Sequence, residues 1–192
     1  EFQVKDTDSG VNAGTIAVTV DGTAVSTVTK TAIDGGYKCT CTSPTLKDGS
    51  HTISVKASDN DGNAAAAKTA TFTVDTVPPT LQITAPSNDL ITNKKTVTVS
   101  GKTDDVTSKP VTVTVNGATV TVGTDGTFTK EVTLVEGANT ITIVAKDKAG
   151  KTTTVTRKVT VDTSAPVIKS ITLTPNPVDC GKTFIIAVEI TD

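Results

Sequence analysis

Apolar and polar side chains alternate with a period of two along most of this chain, in short runs separated by glycine, asparagine, aspartate or proline. Residues 96–100, 111–115, 118–122, 128–134, 139–145 and 152–161 each read as a strand that buries one face and wets the other. VTVTV and ATVTV are joined by Asn116-Gly117. That dipeptide tolerates positive φ at both central positions, so the pattern predicts a two-residue type I′ hairpin. An earlier stretch has the same form: TIAVTV, then Asp21-Gly22, then TAVSTVT, followed by strands over 52–57 and 68–74.

The pattern is periodic on a longer scale as well. FTVDTVPPTLQIT at residues 72–84 returns as VTVDTSAPVIKSIT at residues 159–172, and Pro79 and Pro166 lie 87 residues apart. This spacing is the length of one small all-β domain and too long for a solenoid repeat. Hairpins and long-range pairings without βαβ spacing predict two packed antiparallel sheets per repeat. The expected fold class is therefore all-β, as tandem antiparallel β-sandwiches.

Composition narrows the function classes. Hydrophobic residues make up 35% of the 192, with valine, threonine and isoleucine prominent, as small half-exposed sheets require. A net charge of −2 with both signs interspersed leaves no basic stripe, so neither nucleic acid nor an anionic membrane is an expected partner. No apolar run is long enough for membrane insertion as a helix.

The stretch LKDGSHTISVKASDNDGNAAAAKTATFTVDTVPPT resembles the second half of a bacterial immunoglobulin-like repeat. VNGATVTVGTDGTFTKEVTLVEGANTITIVAKDKAGKTTTVTRKVTVD is similar to the immunoglobulin-like modules beside glucodextranase-type catalytic domains and in bacterial surface proteins. The resemblance implies immunoglobulin-like β-sandwiches, but leaves function open, because such modules accompany adhesins, S-layer proteins, wall hydrolases and polysaccharide-degrading enzymes alike. It divides the chain into a first repeat over 1–77, expected to lack its opening strand or strands, a second over 78–164, and the first two strands of a third over 165–192. The expected partners are neighbouring modules of the same protein. If the tail strands 167–173 and 184–190 complete the first repeat of another copy, head-to-tail self-association follows.

Candidate chemistry is sparse. His51 is the single histidine and has no second histidine or activated nucleophile to work with, so a strand-entry role is expected and no catalytic residue is assigned. Cys39 and Cys41, at i and i+2 of one strand, point to the same face, which is poor disulfide geometry; with Cys180 they fall short of a zinc set. The chain has no tryptophan, one tyrosine and four phenylalanines, too few for the aromatic platform that stacks on sugar rings. Tyr37 and Phe128 fall at matching places in the two repeats, as core residues would.

The acidic loops are richer. DTDSGVN carries Asp6 and Asp8, and SDNDGN carries Asp59 and Asp61; both resemble the opening of a calcium loop. Neither continues as an EF-hand, since Ala17 and Ala70 occupy the position of the bidentate glutamate. In an immunoglobulin-like sandwich these two loops emerge at one end, so Asp6, Asp8, Asp59 and Asp61 are the candidate ligands of a Ca²⁺ ion. Aspartate, asparagine and glycine are equally ordinary turn residues. In the second repeat Asp104, Asp105 and Asp147, with Lys146 and Lys148 beside them, predict a weaker site. The expected function is a non-catalytic spacer or stalk of a secreted or wall-associated bacterial surface protein, presenting an adhesive or catalytic domain. The alternative is a carbohydrate-binding or accessory module of a polysaccharide-degrading enzyme.

Overall fold

The computed structural model describes residues 1–42, 44–174, 176–177 and 180–191. Seven strands come first: β1 (Phe2–Lys5), β2 (Ala17–Val20), β3 (Thr23–Ala24), β4 (Val28–Ile33), β5 (Gly36–Cys41), β6 (Gly49–Lys56) and β7 (Lys68–Val74). They form two antiparallel sheets, in the orders β1-β5-β4 and β3-β2-β6-β7. Alternation along β1 and β5 turns Phe2, Val4, Tyr37 and Cys39 inward, in the register Phe2↔Cys39 and Val4↔Tyr37. There they pack with Val28 against Val11, Ile16 and Ala57, which flank the other sheet. Burial pushes the Cys39 thiol up and keeps it a protonated core residue.

Eight further strands repeat this plan: β8 (Thr80–Ala85), β9 (Leu90–Thr92), β10 (Thr96–Asp104), β11 (Thr112–Val115), β12 (Ala118–Val120), β13 (Thr127–Thr133), β14 (Gly137–Lys146) and β15 (Thr152–Val161). Their sheets run β13-β10-β8 and β12-β11-β14-β15-β9. The shared order makes β11, β12, β14 and β15 the counterparts of β2, β3, β6 and β7. Among the described residues of the first repeat no strand corresponds to β8 or β9, and β9 lies parallel to β15, pairing Leu90 with Val159. The inward positions Val99, Val113, Val115, Phe128, Ile141, Ile143, Ala145, Val159 and Val161 are almost wholly buried. Gly101 sits opposite Phe128 because a Cβ there would come within 2.7 Å of the Phe128 ring and 2.5 Å of the Gln82 carbonyl oxygen.

Both expected turns form. Asp21 and Asn116 have φ of 50° and 47°, and the glycine after each has φ of 79°. Each also ties its hairpin to the neighbouring strand. Asp21 donates its N–H to the Thr52 carbonyl and accepts the Thr52 N–H on Oδ1; Asn116 does the same with Thr142. One expectation is corrected: TAVSTVT is not a single strand. It breaks after Ala24, because β3 pairs with β2 in one sheet whereas β4 pairs with β5 in the other, so the chain must cross the sandwich between them.

The tail forms a two-stranded antiparallel sheet of β16 (Val167–Thr174) and β17 (Ile185–Thr191). Val167, Ile168, Ile171, Leu173, Ile186 and Ile190 on it are exposed. By compactness the chain divides into Glu1–Leu81 with Thr103–Val113 and Val144–Thr153, and Gln82–Lys102 with Thr114–Ile143 and Thr154–Asp192. Among the described residues no helix is long and apolar enough to cross a membrane.

Candidate functional site

Three segments of the first compact unit bring acidic residues together. β7 ends in Val74 and the chain leaves it through Asp75; β10 ends in Asp104 and turns through Asp105; β14 ends in Lys146 and turns through Asp147. The three carboxylates are buried, at 9%, 6% and 5% exposure, and each offers an oxygen within 4.8 Å of the other two. Among the described residues these are the acidic side chains that meet as such a group.

Local turns hold them in place. Asp75 Oδ1 accepts the Val77 N–H at 3.1 Å. Asp105 Oδ1 accepts the N–H groups of Thr107 at 2.8 Å and Ser108 at 2.6 Å. Asp147 Oδ1 accepts the Lys151 N–H at 2.8 Å, while its own N–H reaches the Lys151 carbonyl. One oxygen of each thus fixes a loop. Oδ2 of Asp75 and Oδ2 of Asp147 are buried with no hydrogen-bond partner, which costs free energy unless something else meets them. Among the described residues no cationic side chain pairs with them: the ion pairs are Lys38–Glu1, His51–Asp21 and Lys109–Asp104. Two ionised carboxylates 4.8 Å apart repel by about 3.5 kcal/mol at an effective dielectric of about 20.

Hydroxyls anchor the surrounding chain. Thr103 Oγ1 donates to the Thr80 carbonyl at 2.6 Å, Thr80 Oγ1 to the Asp104 carbonyl at 2.9 Å, and Thr153 Oγ1 to the carbonyl of buried Pro79. A cavity of about 230 Å³ lined by Val77, Pro78, Thr80 and Asp104–Thr107 opens beside Asp105.

The loops expected to hold calcium in the first repeat also meet, with a β-bridge between Val11 and Asp59, and Asp6 and Asp59 line one cavity. Asp6 and Asp59 repeat the local bonding of Asp105 and Asp147: Asp6 Oδ1 accepts the Asp8 N–H, and Asp59 Oδ1 the Asn63 N–H at 2.7 Å. Their second oxygens differ in being engaged. Ser9 Oγ donates to Asp6 Oδ2 at 3.1 Å, and Asn63 Nδ2 to Asp59 Oδ2 at 2.8 Å. The Asn63 side chain holds the Asp59 carboxyl below its ordinary range. In the second repeat Lys151 stands where Asn63 stands in the first, so Asp147 Oδ2 is left free. Among the described residues Asp8 and Asp61 meet no such three-carboxylate group. The missed residue is Asp75. Its signal was the aspartate recurring in both VDT junctions, at Asp75 and Asp162.

His51 is bonded at both nitrogens, Nδ1 to Asp21 Oδ2 at 2.7 Å and Nε2 to the Lys47 carbonyl at 2.8 Å, and its ring tilts against Phe72 with centroids 5.6 Å apart. The Asp21 carboxylate, then the Lys47 carbonyl, raise its pKa, and His51 in turn lowers that of Asp21. Such a histidine clamps the hairpin turn to the entry of β6.

Comparison with known proteins agrees with this architecture. Residues 1–76 match the family described as bacterial Ig-like domain, and residues 79–163 match glucodextranase, domain B. Bacillopeptidase F of Bacillus subtilis (strain 168) is 32% identical over 158 residues, which are 82% of this chain but only 11% of that protein. Among solved structures, the fibronectin(III)-like modules of Clostridium thermocellum CbhA are similar at 18% identity and a TM-score of 0.45, over 83% of this chain and 82% of theirs. A tetra-tandem repeat from the extending region of a large adhesion protein is similar at 22% identity and a TM-score of 0.38, over 96% of this chain and 57% of that one. With one four-strand order common to both repeats and a family match on each, the chain belongs to the bacterial immunoglobulin-like domains, in tandem: a bacterial Ig-like domain followed by a domain of the glucodextranase domain B family.

Proposed function

We propose that this chain is a non-catalytic accessory segment of a larger exported bacterial protein, acting as a spacer that carries an adhesive or catalytic domain. The observation that carries the reading is where the aromatic side chains go. Phe2 and Tyr37 pack on the first core, Phe128 is buried in the second repeat, and Phe72 lies against His51. Among the described aromatic side chains that leaves Phe72, at 36% exposure and already set against His51, and Phe184, at 50%, as the exposed ones, which is short of the stacking platform a sugar needs. Two cavities of the first unit, beside Val25 and Pro44, are lined by threonine, valine, alanine and proline with Ser26, Cys41, Ile53 and Phe72, and carry no charged side chain to fix a ligand. The similarity to a short part of bacillopeptidase F favours a segment that accompanies a larger protein rather than one that acts alone.

Co-sedimentation with insoluble α- and β-glucans and with purified peptidoglycan tests the reading. A spacer stays in the supernatant at the level of an unrelated β-sandwich control. Saturable retention on any of these polymers refutes it and favours the carbohydrate-binding alternative.

A further inference from the structure

We propose that Asp75, Asp105 and Asp147 together bind one calcium ion, and that this ion ties the exit of β7 to the loops that follow β10 and β14. Three features of the group lead there. First, its donors are all hard carboxylate oxygens with no imidazole or thiolate among them, the set that suits calcium or magnesium and not zinc or copper. Second, two ligands about 2.4 Å from a common ion can be at most about 4.8 Å apart, and no pair of these oxygens exceeds that limit, so a small closing of the group brings all three onto one calcium. Magnesium, with ligands at about 2.1 Å in strict octahedral array, fits a group of that spread less well. Third, the buried oxygens Asp75 Oδ2 and Asp147 Oδ2 lack any protein partner.

The hydrogen bonding also separates this group from an ordinary set of turn aspartates. Each Oδ1 holds its own loop through a backbone N–H, so the group is organised before a cation arrives. Asp59 has the same turn, yet Asn63 takes its second oxygen, and no partnerless oxygen of Asp59 results. The cavity beside Asp105 supplies a route for the ion and room for water to complete its coordination. The ligands come from segments far apart in sequence, one from the first family match and two from the second. A cation would therefore bind the folded junction and not the unfolded chain. The inference stands whether or not the segment serves as a spacer.

Calorimetric titration of the intact chain, freed of metal with chelator, tests it together with thermal melting. The expected result is one calcium per chain with Kd below about 1 mM, as in extracellular modules, and a melting temperature about 5 °C higher in 5 mM calcium. Asp75→Asn and Asp147→Asn keep the Oδ1 acceptor for Val77 and Lys151 but remove the charge, and each is expected to weaken calcium binding at least about ten-fold. Asp59→Asn is expected to leave binding unchanged. Two variants, one on the junction and one on a loop, keep the test decisive should either fold poorly. Absence of both binding heat and a melting shift at 10 mM calcium (a trial concentration roughly ten times the upper Kd) overturns the proposal. So does an unaltered calcium response in Asp75→Asn, or its loss in Asp59→Asn. Tighter binding of magnesium than of calcium overturns the choice of ion.

Discussion

Removing a charge from the acidic group should stabilise the metal-free protein, the reverse of what deleting a buried, hydrogen-bonded residue usually does. Asp75, Asp105 and Asp147 present three pairs of oxygens, none further apart than 4.8 Å. At an effective dielectric of about 20, each ionised pair at that distance repels by about 3.5 kcal/mol. Asp147→Asn deletes two of the three pairs, about 7 kcal/mol of gross repulsion by the same arithmetic. Solvent and counterions screen much of this, so the net gain expected in chelator is about 1–3 kcal/mol. Asparagine keeps the acceptor for the Lys151 N–H and adds a neutral N–H donor within the buried group. For a chain of this size the gain corresponds to a melting temperature about 3–10 °C higher. Asp147→Ala separates the contributions, since it removes the same charge but also the 2.8 Å bond from Lys151, which returns about 1 kcal/mol. Calorimetric melting in EDTA gives the ordering: Asn above Ala, and both above wild type. If calcium binds the group as proposed, saturating calcium raises wild type above both variants, because wild type alone keeps three carboxylate ligands, and Asn stays above Ala. Should Asp147→Asn melt at or below wild type in EDTA, the carboxylates are not repelling one another and the electrostatic reasoning fails.

Two further outcomes follow from other parts of the molecule. His51 donates to Asp21 and to the Lys47 carbonyl and has a raised pKa, so it should titrate by NMR above its ordinary 6.5, and Asp21→Asn should bring it down toward that value. Because its folded pKa is raised, the stability His51 contributes is complete below the unfolded value and is lost as pH rises through the folded one; Asp21, with its pKa lowered, loses its contribution as pH falls through its folded value. The clamp is therefore strongest between the two, and an unshifted His51 titration would refute it. Ile141→Ala, at a side chain with 0% exposure on β14, should cost about 2–5 kcal/mol by denaturant unfolding, whereas Ile91→Ala, at 72% exposure, should cost less than about 1 kcal/mol. Equal costs at the two positions would contradict the assigned inward faces.

Most of the architecture could be read without coordinates because it rests on local physics. Alternation names the buried face of a strand wherever one side meets a core, and Asn116-Gly117 and Asp21-Gly22 set their hairpins through backbone conformations that few other pairs adopt. The repeated VDT junction marks the domain period for the same reason, since the strand end and the prolines after it are local features. Where partners are distant, local pattern is silent. TAVSTVT alternates throughout, and only the competition between two sheets for its ends decides that it breaks after Ala24. The acidic group shows the same limit more sharply. Density of aspartates pointed to DTDSGVN and SDNDGN, where Ser9 and Asn63 take up the second oxygens. Asp75, Asp105 and Asp147 are sparse in sequence, and each looks like an ordinary turn residue in its own loop. Their convergence depends on how the chain leaving β7 meets the ends of β10 and β14, an outcome of packing between segments tens of residues apart. Sequence alone determined which residues form strands and turns; the tertiary structure decided which carboxylates share a site, because repulsion and unmet hydrogen bonds depend on distance in space.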